Sequence, residues 1–219
     1  MTKSLAELRK AIVQGRMKDA RDAAELALAE KVSPEEIISH GVTAALDIVG
    51  AKFVDGEYYL PEMMSSAQAA KSCMDTIRPV LLQSGIRPTA KAALGTVKGD
   101  LHDIGKNLVA MMLEGSGFQV IDLGADVPPE RFVEVIRKEA PDLVGLSALL
   151  TTTMPMMRET VEALAIAGVR DKVKVMVGGA GVTQSYADEI GADGYAPDAT
   201  RAVQKAKQLL MSEDASNFV

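Results

Sequence analysis

The 219-residue sequence predicts an α/β protein in two parts, an N-terminal helical bundle followed by a doubly wound, parallel five-stranded sheet. Three observations lead there. The first 80 or so residues carry helical periodicity and almost no strand character. Pro79, Gly85 and Pro88 then change the composition around a linker from Gln83 to Thr89. Beyond it, short apolar runs alternate with helix-length segments, as parallel strands with helical crossovers require. The boundary falls between 1–88 and 89–219.

In the first part, Leu5, Leu8, Ile12 and Val13 recur at helical spacing. A second, Ala-rich helix covers Ala20 to Lys31. Ser33-Pro34-Glu35-Glu36 is a start signal, with Ser at the N-cap, Pro at the first helical position and Glu at the next two. The helix it opens carries Ile37, Ile38, Val42, Ala45, Leu46 and Val49. Asp55-Gly56-Glu57 breaks the pattern. Tyr58-Tyr59-Leu60-Pro61 leads into a last helix through Met63, Met64, Ala67, Ala70, Met74 and Ile77. Four or five helices with short links suit a small bundle.

In the second part, strands are expected at Ala92–Thr96, Gln119–Leu123, Leu143–Ser147, Val173–Val177 and Gly194–Ala196. Helices are expected at Ile104–Glu114, Pro129–Glu139, Met154–Ala167, Ser185–Ile190 and Ala199–Met211. The tail from Ser212 to Val219 is polar.

Composition narrows the function. The hydrophobic fraction is 47%, with no Trp, four Phe and four Tyr, so aliphatic residues and twelve Met must fill the core. A net charge of −6 without a basic stripe argues against nucleic acid. No apolar run approaches a membrane-spanning length, and the N-terminus lacks a signal-peptide core. Cys73 is the sole cysteine, in a helical pattern that suits a buried thiol. A cytoplasmic location fits these features.

The most informative stretch is Val97-Lys98-Gly99-Asp100-Leu101-His102-Asp103-Ile104-Gly105-Lys106-Asn107, a loop between the first strand and its helix. Polar groups at the carboxyl end of such a strand are the usual frame of an α/β ligand site. The loop holds one of only two histidines, with an acid two residues before it and a Gly three after. Rival chemistries find no support. Gly-x-Gly-x-x-Gly does not follow the first strand, and neither a P-loop nor a nucleophile elbow occurs. Two histidines, His40 being far from His102 in sequence, and one cysteine make a zinc site improbable.

Asp100-x-His102-x-x-Gly105 resembles the Asp-x-His-x-x-Gly motif of cobalamin-binding domains. Gly145 to Thr151 resembles the family's Ser-x-Leu segment, Gly178-Gly179-Ala180 its Gly-Gly segment, and Asp122 to Pro128 its segment after the second strand. The order, helical bundle then Rossmann-like sheet domain, is similar to the corrinoid proteins of methyltransferase systems and to the cobalamin module of methionine synthase. The resemblance covers about residues 5 to 211.

That resemblance implies a definite site. Cobalamin would bind with its own base displaced and His102 as the cobalt ligand, with Asp100 tuning the imidazole. The relay's hydroxyl member aligns with Thr153, where methionine synthase has Ser. Gly99, Leu101, Asp103, Ile104 and Gly105 belong to the same loop. Ser147, Leu149 and Thr151 would line the pocket for the nucleotide tail. Gly178, Gly179 and Ala180 would let backbone approach the tail, and Ala199 would touch the cofactor again. Tyr59, Leu60, Met63 and Met64 match the segment that caps the upper corrin face; their alternative is bundle core.

The implied function is methyl carriage. A substrate-specific methyltransferase would place a methyl group on Co(I), and a second would pass it from methyl-Co(III) to tetrahydrofolate or a thiol. A reductive activator would rescue oxidised cobalt. Methylamines, methanol, methoxylated aromatics and betaines are all open as donors, a methylamine or methoxylated compound being marginally preferred. On this reading the chain is a component of a methyltransferase system rather than a complete enzyme. The alternative is a cobalamin-dependent sensor or regulatory module.

Overall fold

The structure, a computed structural model, describes residues 2–83 and 90–214. The linker expected from Gln83 to Thr89, with Gly85 and Pro88, lies outside them from residue 84 onward. The end of the polar tail, from 215, lies outside them too. The chain forms two compact units. Residues up to 83 join Met111–Phe118 in one, and residues 90–110 join those from Gln119 onward in the other.

The first unit is helical. It contains α1 (Lys3–Val13), α2 (Met17–Ala29), a single turn α3 (Pro34–Glu36), a π-helical segment (Ile37–Thr43), α4 (Ala44–Val54) and α5 (Leu60–Gln83). Ser33 caps its helix as read from sequence: its Oγ accepts the Glu36 N–H at 3.2 Å, and Pro34 stands in the first turn. Thr2 does the same for α1. Helix α2 packs against α1 and α5 through Ala20, Ala23, Ala24 and Ala27, whose small side chains allow close approach. Gly115 belongs here too, since a Cβ there would lie 2.9 Å from the Ala70 Cβ. An ion pair joins Lys71 to Glu114.

The helix opened at Ser33 runs to the expected break at Asp55, but the expectation that no apolar run approaches a membrane-spanning length needs correction. α3, the π segment and α4 form one continuous helix, Pro34–Val54, of 21 residues, long and apolar enough to cross a bilayer. Ile37, Val42, Ala45, Leu46 and Val49 on it are buried, and it contacts α1 and α5. Those five serve the bundle, while Ile48 and Val54 on the same helix are exposed. Cys73 is buried, and burial pushes its thiol up to about 12, which leaves it protonated and unreactive near neutrality.

The second unit is the parallel sheet. Its strands are β1 (Lys91–Thr96), β2 (Gln119–Asp122), β3 (Leu143–Ser147), β4 (Lys174–Gly178) and β5 (Gly194–Ala196), in the order β2-β1-β3-β4-β5. Every pairing is parallel. The crossovers are α6 (Ile104–Gly115), α7 (Pro129–Glu139), α8 (Pro155–Ile166) and α9 (Gln184–Glu189), and α10 (Ala199–Asp214) closes the chain. Expected and observed strands agree to within a residue at each end. β1 and β3 are nearly continuous buried apolar runs, the signature of a sheet covered on both faces.

The core of this unit includes Val144, Leu146, Val175, Phe132, Met157 and Leu164. The Phe132 ring reaches β1 because Gly95 lacks a side chain; a Cβ there would lie 2.6 Å from the ring. Phe132 is fully buried, so Phe132→Ala should cost about 3–5 kcal/mol in chemical denaturation. A loss below about 1 kcal/mol would show that this helix is not anchored through the ring.

Candidate functional site

Three loops at the carboxyl edge of the sheet build the site. β1 and β3 are neighbours, while their crossovers lead to opposite sides of β1, so a crevice opens between their ends. The loop after β1 carries Asp100 and His102. The loop after β3 carries Leu149, Leu150 and Thr153. The loop after β4 carries Gly178 to Gly181.

Asp100 is the centre. Its carboxylate is fully buried, yet every contact around it is a donor. Oδ1 accepts the His102 N–H at 3.0 Å and faces His102 Nδ1 at 2.7 Å. Oδ2 accepts the Thr153 hydroxyl at 2.6 Å and the Leu149 N–H at 2.8 Å, with a longer contact from the Leu150 N–H at 3.4 Å. Burial alone would push this carboxyl up. The hydrogen bonds from Thr153, the His102 N–H and ring, and Leu149 outweigh it and hold the group well below the usual carboxylate range.

An ionised Asp100 sets the histidine. Nδ1–H donates to the carboxylate, which leaves Nε2 with a free lone pair, able to accept a proton or coordinate a metal. The His102 carbonyl is held separately by the Thr96 hydroxyl at 3.2 Å. The His102 side chain is 53% exposed. Leu101, Ile104, Leu149 and Leu150 around it are also exposed, an apolar surface interrupted by one imidazole. Among the described residues, no group of three or more His, Cys, Asp or Glu gathers to hold an ion. This arrangement can supply one imidazole nitrogen to a ligand seated on an apolar surface.

The remaining sheet-domain candidates stand along the same edge. Asp103 starts α6, with its carbonyl accepting the Asn107 N–H at 2.8 Å, and Ile104 and Gly105 occupy the exposed first turn. Gly99 adopts a φ of +81° at the turn before Asp100. Ser147 ends β3, and its carbonyl accepts the Val97 N–H at 3.0 Å. Gly179 has a φ of +137°, and a Cβ there would lie 1.8 Å from the Ala148 carbonyl oxygen. Only glycine fits. A Cβ at Gly181 would lie 3.6 Å from Thr151, so this loop follows the one after β3 closely. Gly178 lies beside Ala196, Ala180 is exposed and Ala199 is buried at the start of α10. The buried Thr200 hydroxyl next to it has no hydrogen-bond partner among the described residues, a polar group available to a ligand's tail.

Tyr59, Leu60, Met63 and Met64 belong to the helical unit. Tyr59 and Leu60 are exposed, Met64 is half-buried and Met63 is buried. His40 is exposed there, its Nδ1 facing the Ser39 hydroxyl. Sequence reasoning missed Leu150, which adds an N–H to Asp100 and an exposed side chain to the apolar surface. It also missed a role for Asp126, although the segment holding it was singled out.

Comparison with known proteins identifies the family. Residues 90–204 match a family model described as B12 binding domain, and residues 4–78 match a second model of the same description. The chain is 42% identical over 207 residues to dimethylamine corrinoid protein 3 of Methanosarcina acetivorans, covering 94% of this chain and 97% of that protein. The chain belongs to the B12-binding corrinoid proteins. It is also 44% identical over 208 residues to the trimethylamine corrinoid protein of Methanosarcina barkeri, covering 94% and 96%. Among solved structures, the methanol:cobalamin methyltransferase complex MtaBC of Methanosarcina barkeri superposes with a TM-score of 0.77 at 28% identity, over 95% of this chain and 80% of that one. The expected fold class and the expected corrinoid cofactor both stand.

Thr153 gives a direct test of the carboxylate environment. Thr153→Val keeps the shape and removes the donor, so it should destabilise the protein by about 1.5–3 kcal/mol at pH 7. Asp100's folded pKa is depressed, so its stabilisation is present above the unfolded value and lost as pH falls through the folded one. The gap between wild type and variant should therefore hold from neutrality to about pH 4 and shrink only below it. Denaturation curves at several pH values would check this, and a gap that closes near pH 6–7 would contradict it.

Proposed function

We propose that this corrinoid protein carries methyl groups within a multi-protein methyltransferase system, with a methylated amine as the donor substrate. One observation carries the proposal: a single exposed imidazole is held in one tautomer by a buried, fully bonded carboxylate, within residues that match a B12-binding model. The bound corrinoid supplies the cobalt that accepts and releases the methyl group.

This chain's own residues bind, orient and tune. His102 offers Nε2 to cobalt, Asp100 keeps the proton on Nδ1, and Thr153 with the Leu149 N–H keeps Asp100 ionised. Leu101, Ile104, Leu149 and Leu150 exclude water from the macrocycle's lower face. Ser147, Thr151, Gly178, Gly179, Ala180 and Ala199 form the tail pocket. Gly99, Asp103 and Gly105 shape the histidine loop. The identity to dimethylamine and trimethylamine corrinoid proteins over nearly the whole chain supports the amine as substrate class.

The domains we assign are 1–88 for a helical cap and 89–219 for cofactor binding. In the cap, Tyr59, Leu60 and Met64 present side chains that can cover the upper corrin face, while the burial of Met63 suits a supporting role. A substrate-specific methyltransferase, a second methyltransferase and a reductive activator complete the system. We place the protein in the cytoplasm.

Reconstitution with cobalamin should give one equivalent per chain. Electron paramagnetic resonance of the Co(II) form with labelled histidine should show an imidazole nitrogen on cobalt. His102→Ala should still bind cobalamin but lose that coupling. A benzimidazole signal in wild type would overturn the assignment. For the substrate, methyl transfer from mono-, di- and trimethylamine should be followed with purified partner methyltransferases; transfer from methanol alone would remove the amine assignment.

A further inference from the structure

The segment between β2 and α7 grips the histidine loop through Asp126. The Asp126 Oδ1 accepts the Gly99 N–H at 2.7 Å, and the Asp126 N–H donates to the Asp100 carbonyl at 3.0 Å. The two bonds grip the peptide groups before Gly99 and after Asp100, so the backbone that carries the Asp100 side chain is held at both ends. Both residues of the clasp have left-handed backbone, Gly99 at +81° and Asp126 at +57°. Outside glycine, Asp and Asn tolerate that region best.

The clasp is mounted on a braced support. Val127 donates to the Thr96 carbonyl at 2.9 Å, and Thr96 donates to the Gly124 carbonyl at 3.0 Å. The Asp122 carboxylate accepts the Gly124 N–H at 2.9 Å and the buried ammonium of Lys106, which also reaches Asn107 at 2.6 Å. Lys106 and Asn107 lie in the first turns of α6, just after His102. The segment after β2 is thus tied to the strand before the histidine loop and to the helix after it.

We propose that Asp126 is a positioning residue for His102, acting through the Asp100 backbone. The Asp100 carboxylate meets the imidazole on Oδ1 and the neighbouring loop on Oδ2. Both sets of contacts depend on where its Cα stands, and Asp126 determines that. The inference rests on the corrinoid reading only in what His102 ligates; the clasp itself belongs to the protein without cofactor.

Asp126→Gly keeps the N–H and the left-handed backbone and removes the carboxylate. Asp126→Asn keeps an acceptor in place. In cofactor-free protein, nitrogen NMR of the His102 ring should show one tautomer, protonated at Nδ1, in wild type and Asp126→Asn. Asp126→Gly should show both tautomers. With cobalamin bound, electron paramagnetic resonance of the Co(II) form should show the ratio of histidine-ligated to unligated cobalt falling about tenfold in Asp126→Gly, with Asp126→Asn restoring it. A single tautomer in Asp126→Gly would overturn the proposal, as would mixed tautomers with unchanged ligation. If wild type showed no histidine on cobalt, the corrinoid reading of His102 would fall, and the ring-nitrogen spectra would decide the Asp126 clasp on their own.

Discussion

A carboxylate buried away from water is stable only if protein donors replace the water. Asp100 meets that condition with donors from two loops, and much of the sheet domain's edge follows from it. The loop after β3 must come close enough for the Leu149 N–H and the Thr153 hydroxyl to reach Oδ2. The loop after β4 must then pass close to it, and at Gly179 even a methyl group would collide with the Ala148 carbonyl. One charged group therefore fixes the spacing of three loops and the tautomer of the one exposed histidine among them.

The topology explains why this happens between β1 and β3. In the order β2-β1-β3-β4-β5 the crossovers diverge at that pair, and the loops that follow β1 and β3 meet there. That meeting supplies backbone N–H groups to the buried carboxylate. The surrounding side chains are mainly leucine and isoleucine. Such a surface suits an apolar ligand, and one imidazole stands exposed within it.

Much of the fold was legible in the sequence because its signals are local. Parallel strands buried on both faces read as short apolar runs, and β3 was recovered with its boundaries unchanged. Ser33-Pro34-Glu35-Glu36 announced a helix start that the Ser33 hydrogen bond bears out. The π-helical segment Ile37–Thr43 left no such signal, since an extra residue in a turn changes backbone pairing without changing composition. The helix Pro34–Val54 was legible from its Ser33 start to the break at Asp55-Gly56, but not that it is long and apolar enough to cross a bilayer, because polar residues such as Ser39, His40 and Asp47 interrupt its apolar run.

The candidate site divides in the same way. The sequence by itself determined the fold class, the loop between β1 and α6, and the pairing of Asp100 with His102. These depend on periodicity and on residues two apart. It could also place Thr153 in line, by resemblance, as the relay's third member. Only the tertiary structure decided that Thr153, 53 positions away, reaches the Asp100 carboxylate, and that Leu150 and Asp126 take part. Such contacts join loops that meet only once a parallel sheet has brought its strand ends side by side, and no local pattern records which backbone N–H will face which carboxylate.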